Sequence, residues 1–194
     1  MAKHTIREEL YAVLAFVGLI WLVYVVQCFA PIQLESYGIT PRTLDGLVGI
    51  LAAPFLHANL GHLLANTIPL IVLLLLLAGS KASSWTIVAY IVLLGGLLLW
   101  LLGRSATHIG ASGLIYGLIA FLLMSGIWER RIVPMFISLI VAITYGGALL
   151  SGIVPGADSQ MSWDGHLFGA IAGVLIAYLT TMNKSAAPTQ PKIS

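Results

Sequence analysis

The chain has 194 residues, 59% of them hydrophobic, and only sixteen are charged, nine Lys or Arg and seven Asp or Glu. Soluble domains carry about 25% charged residues, against 8% here, and the mean hydropathy is +1.01. A water-soluble globule, a disordered chain and a secreted disulfide scaffold are thereby excluded, the last also because Cys28 is the single cysteine. Crossing a hydrocarbon core of roughly 30 Å takes about 20 apolar residues. The expected fold is therefore all-α: a polytopic membrane protein, one bundle of six transmembrane helices over 9–182. Residues 1–8 precede it and 183–194 follow.

The first span runs from about Leu10 to Ala30 and stops at Pro31. It is too long for a signal-peptide core, and no small-residue cleavage site follows it. Residues 31–56 are rich in Leu, Val and Ala but broken by Pro31, Gly38, Pro41, Gly46, Gly49 and Pro54, which suits an interfacial or re-entrant element. A second span is expected from Leu60 to the Gly79-Ser80-Lys81 break, and a third over Ser84 to Leu102. The fourth begins near Ser112 and ends at Trp128-Glu129-Arg130-Arg131, with Trp128 as an interfacial anchor. The fifth covers Ile132 to Leu150. After a turn-rich loop to Asp164, the sixth covers Gly165 to Met182, and the tail from Asn183 reads as disordered. If six spans alternate, Lys3, Arg7, Lys81, Arg130, Arg131, Lys184 and Lys192 share one side, seven of the nine basic residues. Only Arg42 and Arg104 fall opposite. The positive-inside rule makes the seven-residue side cytoplasmic, with both termini.

Polar side chains inside a bilayer are expensive and point to function. His57, His62, Asn66, Ser112 and His166 all fall at the outward ends of the second, fourth and sixth spans. One cavity open to the outside would hold them at little desolvation cost.

Ser112 sits between Gly110-Ala111 and Gly113 at a helix start, where backbone N–H groups lack intrahelical partners. Such a serine offers a nucleophile and an anion-stabilising donor from one position. Taken alone, the segment reads as readily as an N-cap serine among packing residues. Gly165, Gly169 and Gly173 recur every four residues beside His166, and Gly113 and Gly117 do so on the fourth span. Two glycine faces let helices approach closely, and a general base must lie within about 2.6–3.2 Å of the hydroxyl it activates. Tyr116, one turn below Ser112, is placed to stack on the imidazole.

His62 and Asn66, four apart, share a helix face and suit an oxyanion site with the Ser112 N–H. Alone, the Asn is as well explained as an interhelical clamp. Asp164 reads as a capping residue whose spacing points it away from His166, which favours a Ser-His dyad over a triad. His108 reads as a solvated loop histidine. No His-Glu-x-x-His occurs and no carboxylate completes a zinc set, so no metal is expected.

Three motifs in order, His57-x4-His62-x3-Asn66, Gly110-x-Ser112-Gly113 with Tyr116, and Gly165-His166-x-x-Gly169-x3-Gly173, resemble those of the rhomboid intramembrane serine proteases. The resemblance covers about residues 9–182. It implies Ser112 as nucleophile and His166 as base, with His62, Asn66 and the Ser112 N–H as oxyanion donors. Tyr116 would pack on the base and His57 would support the first loop. Implied too are hydrolysis without a cofactor, single-pass transmembrane substrates met in a lipid bilayer, no nucleic-acid partner, and a bacterial inner (plasma) membrane with the site facing outward. One departure stands out: Val48-Gly49 occupy the place where many members carry Trp-Arg. Two competing readings remain, an inactive rhomboid-like protein that binds membrane helices and a small transporter. The pairing of Ser112 with His166 speaks against the first, and the lack of internal repeats and broken mid-span helices against the second.

Overall fold

The computed structural model describes residues 5–29, 33–81, 83–155 and 162–185. Among these the chain is helical, in the order α1 (Ile6–Phe29), α2 (Gly49–Ala52), α3 (Leu60–Ser80), α4 (Ser84–Leu102), α5 (Ser112–Glu129), α6 (Ile132–Gly152) and α7 (Trp163–Ser185). All but the short α2 are long and apolar enough to cross a membrane. The sixth span begins at Trp163, two residues earlier than expected, which draws Asp164 into its first turn. It continues through Ser185, past the expected end at Met182. Pro31 and residues 186–194 lie outside the described residues.

Local chemistry sets the helix ends that matter. Asn59 caps α3, its Oδ1 accepting the His62 N–H at 2.8 Å. Arg130, at φ 49°, turns left-handed and stops α5. At the end with Arg130, Glu9 accepts from Ser84 Oγ and Trp85 Nε1, each at 3.1 Å, while Lys81 pairs with Glu129 in a buried contact. The start of α1, the α3–α4 turn and the end of α5 therefore share one end of the bundle. The 33–56 segment and the α4–α5 connection occupy the other.

Helix α5 is the central element, and α7 lies against it on glycine. A Cβ at Gly169 would sit on the Gly113 carbonyl oxygen, and one at Gly173 on that of Gly117. Nothing there can rotate aside, because the obstacle is backbone. The i,i+4 glycine rows on both helices are thus the contact itself. Helices α1 and α6 lie at the periphery, and Ile143 and Leu150 on α6 are 76% and 69% exposed. In a bilayer such faces meet lipid.

The 33–56 segment folds into short turns and α2 rather than a span. Its anchoring accounts for Gly49, the second position of the missing Trp-Arg pair. A Cβ at Gly49 would overlap the backbone of Gly38 and Ile39, so no bulky side chain fits there. Ile39 in turn exchanges both backbone hydrogen bonds with His108, each at 2.9 Å. Arg42, at φ 61°, donates to the Gly103 carbonyl at 2.7 Å and to Ser105 Oγ at 3.0 Å, capping the end of α4.

Candidate active site

Ser112 opens α5 and His166 lies in the first turn of α7. With the helices in glycine contact, Ser112 Oγ comes to 2.9 Å from His166 Nε2. The other ring nitrogen, Nδ1, lies 3.0 Å from the Gly152 carbonyl oxygen at the end of α6. A carbonyl only accepts, so Nδ1 carries the proton. In the neutral ring Nε2 is then bare and accepts the Ser112 hydroxyl proton. The Gly152 carbonyl thus stands where a carboxylate stands in a Ser-His-Asp triad.

Tyr116 stacks on His166 with ring centroids 4.0 Å apart and planes 4° from parallel, and its hydroxyl donates to the Ala148 carbonyl at 3.0 Å. It therefore fixes the imidazole and ties α6 to the site. A Cβ on Gly152 would collide with the Tyr116 ring, so that position needs its glycine. His62 places its ring against Gly110, where a Cβ would lie 2.6 Å from the imidazole; Gly110 also has φ +109°. Gly110 is therefore a glycine both for its backbone conformation and for the room the His62 ring needs. Asn66 Nδ2 donates to the His62 carbonyl at 2.8 Å. That amide has two hydrogens, and this bond engages one.

His62, Asn66, Ser112, Tyr116 and His166 line one cavity of about 680 Å³. Ala65 and Pro69 of α3 and Tyr145 and Ala148 of α6 continue its wall. His57 stands apart: it is fully buried, edge-on to His62 at 5.0 Å, and its main-chain carbonyl accepts from Gln27 of α1 at 2.8 Å. Burial, reinforced by the neighbouring His62, lowers its pKa from 6.5 to about 4. His57 is neutral at physiological pH.

Two expectations need correction. His108 is not a solvated loop residue; it is 4% exposed, with Nδ1 2.7 Å from Ser162 Oγ and Nε2 3.2 Å from the Arg104 carbonyl. Its pairing with Ile39 draws it inward. Asp164 does point away from His166, but its carboxylate reaches beyond its own helix. It accepts the Arg104 N–H at 3.0 Å and lies 3.6 Å from Arg104 Nε and from His108 Nε2. Sequence reasoning missed Gly152, because a carbonyl acceptor has no residue signature. The spacing of Asp164 and His108 carried no signal either, since their meeting depends on three separate connections.

Among the described residues, no group of three or more His, Cys, Asp or Glu side chains is placed to hold a metal ion. The Rhomboid domain family matches residues 45–183. The chain is 47% identical over 176 residues to the Mycobacterium tuberculosis protein Rv1337, across 86% of this chain and 73% of that one. It is 29% identical over 178 residues to the putative rhomboid protein L523 of Acanthamoeba polyphaga mimivirus, across 89% of this chain and 94% of that one. It is 30% identical over 151 residues to the rhomboid-like protein 11, chloroplastic, of Arabidopsis thaliana, across 71% of this chain and 54% of that one. Six apolar helices on a glycine-packed centre, with the domain match, make this chain an integral membrane protein of the rhomboid family.

Proposed function

We propose that the chain is an intramembrane serine endopeptidase that hydrolyses peptide bonds of single-pass transmembrane substrates. The observation that carries this reading is the 2.9 Å contact between Ser112 Oγ and a His166 ring whose tautomer is set by the Gly152 carbonyl. Ser112 Oγ attacks the scissile carbonyl while His166 Nε2 takes its proton. Negative charge on the carbonyl oxygen meets the Ser112 N–H, His62 and the second hydrogen of the Asn66 amide. His166 then protonates the departing amine, leaving an acyl-enzyme on Ser112. Water entering the cavity releases the acyl group, with His166 as base again.

A helical peptide bond hides its carbonyl in its own hydrogen bonds, so the substrate must unwind to be cut. The basic residues orient both termini toward the cytoplasm and the cavity toward the outer face. The membrane is the bacterial inner one.

The test is cleavage of a reporter transmembrane substrate in proteoliposomes. Ser112→Ala and His166→Ala each abolish it while remaining folded, and the double variant is no worse than either single, because the pair acts as a unit. Substantial cleavage by folded Ser112→Ala would refute the assignment. A wild-type protein that binds the reporter without cutting it would instead make the chain an inactive relative.

A further inference from the structure

The reaction just described leaves unused a buried ionic cluster beside it. Asp164, only 2% exposed, is the second residue of the helix that carries His166. Among the described residues its partners are Ser162 and the 104–108 segment. Asp164 Oδ2 accepts the Arg104 N–H at 3.0 Å, and Oδ1 lies 3.6 Å from Arg104 Nε and 3.4 Å from Ser162 Oγ. Ser162 Oγ lies 2.7 Å from His108 Nδ1. His108 Nε2 lies 3.2 Å from the Arg104 carbonyl and 3.6 Å from Asp164 Oδ2, and a carbonyl only accepts, so Nε2 carries a proton.

This matters because residues 104–111 are the chain that delivers Ser112. Three residues separate His108 from the nucleophile, and Gly110 among them lies against the His62 ring. The same segment is gripped on its other side by the first loop. Ile39 pairs with His108, Thr40 Oγ1 meets Thr107 Oγ1 at 3.1 Å, and Arg42 holds the Gly103 carbonyl. Glycine contact sets the distance between α5 and α7 along their length. At its upper end that contact sets Gly113 against the Gly165 carbonyl. Before Ser112, the 104–108 stretch meets the first turn of α7 through Asp164.

We propose that Asp164 is a positioning residue for the hydrolysis, acting through His108 and Arg104 to register the nucleophile's approach segment against the helix of the base. This inference rests on the Ser112–His166 reading above. The carboxylate touches no reacting atom, and its role is to hold the Oγ–Nε2 geometry in the form that reacts. A misplacement of about 1 Å at such a site lowers rate by on the order of 100-fold.

The experiment compares purified Asp164→Asn, His108→Leu, His108→Gln and Ser162→Ala with wild type in proteoliposomes. It measures kcat and KM on the reporter, the rate of fluorophosphonate labelling and the unfolding midpoint. Glu129→Gln, which removes the buried partner of Lys81 at the opposite end, is the structural control. Asp164→Asn and His108→Leu lower kcat by about 10- to 100-fold with KM little changed, and labelling slows in proportion. His108→Gln keeps a donor for the Arg104 carbonyl and recovers most of the rate. Ser162→Ala, a small change that leaves the ion pair, lowers kcat a few-fold and keeps the proposal testable should Asp164→Asn fail to fold. Glu129→Gln lowers the midpoint without changing kcat per folded molecule. Wild-type kcat in folded Asp164→Asn, or in folded Ser162→Ala with a lowered midpoint, overturns the positioning role. If Ser112→Ala still cleaves, the dyad reading itself has failed, which is a separate result.

Discussion

The α5–α7 seam and the α3–α6 side of the cavity are built from opposite materials. Along the seam, backbone lies on backbone, and 56% of the apolar stretch of α5 is buried. Across the cavity, α6 has only 17% of its apolar stretch buried, and Gly146 and Gly147 have no neighbouring atoms within 4 Å of where a Cβ would stand. The difference teaches how a rigid dyad and an accessible cavity coexist in one bundle. A hydrogen bond of 2.9 Å needs elements that cannot shift. On the proposed reading, a substrate helix enters where packing is sparse, beside α6. Tyr116 joins the two regions, stacked on the base and bonded to α6.

The sharpest way to break that comparison is to put the same methyl group on each side. Gly169→Ala forces a Cβ onto the Gly113 carbonyl, parts α5 from α7 and removes cleavage altogether, with a stability loss of about 1–3 kcal/mol. Gly146→Ala meets open space, keeps cleavage and changes stability by less than about 1 kcal/mol. Paired activity and unfolding measurements check both. Equal effects of the two substitutions would mean that the seam is not what holds the dyad.

Next in size are the donors on the cavity wall. Asn66→Ala and His62→Ala each lower single-turnover cleavage by on the order of 10²–10³, with a small change in unfolding midpoint. The competing role for Asn66 is a helix clamp. A markedly destabilised Asn66→Ala with near-wild-type turnover per folded molecule selects the clamp and removes the oxyanion role.

A smaller effect comes from His57, buried between the first loop and the cavity. Its folded pKa of about 4 lies below the unfolded 6.5, so the unfolded chain binds the proton more tightly. Stability from the neutral ring is complete above about pH 6.5 and is lost as pH falls toward 4, at most about 3 kcal/mol. Unfolding midpoints in detergent from pH 7 to pH 4 read it directly. His57→Gln, which cannot titrate, flattens that dependence, and an unchanged slope in the variant contradicts the assignment. At the bottom of the scale, chelators leave cleavage unaltered. Loss on chelation with recovery on added zinc would revive a metal mechanism.

The seam was legible in the sequence because glycine at four-residue spacing has one physical use in a membrane helix, close approach. The six spans and the placing of Ser112, His166, His62 and Asn66 at one end of the bundle followed from hydropathy and alternation. Gly152 was not legible, since its contribution is a carbonyl that any residue possesses, and its glycine is required only by the Tyr116 ring above it. Asp164 and His108 were misread for a related reason. Local spacing describes the helix a residue sits on, whereas their partners come from three connections distant in sequence. Gly49 belongs to the same class: it becomes intelligible once it is seen under the backbone of Gly38 and Ile39.

The central claim is that Ser112 is a nucleophile activated by His166 within a folded membrane protein. Mass spectrometry after treatment with a fluorophosphonate tests it most directly, because the probe marks an activated serine and needs no knowledge of the natural substrate. The account predicts one adduct, on the peptide containing Ser112, absent in Ser112→Ala and strongly reduced in His166→Ala. An adduct on a different serine, or undiminished labelling of Ser112 in His166→Ala, would contradict it.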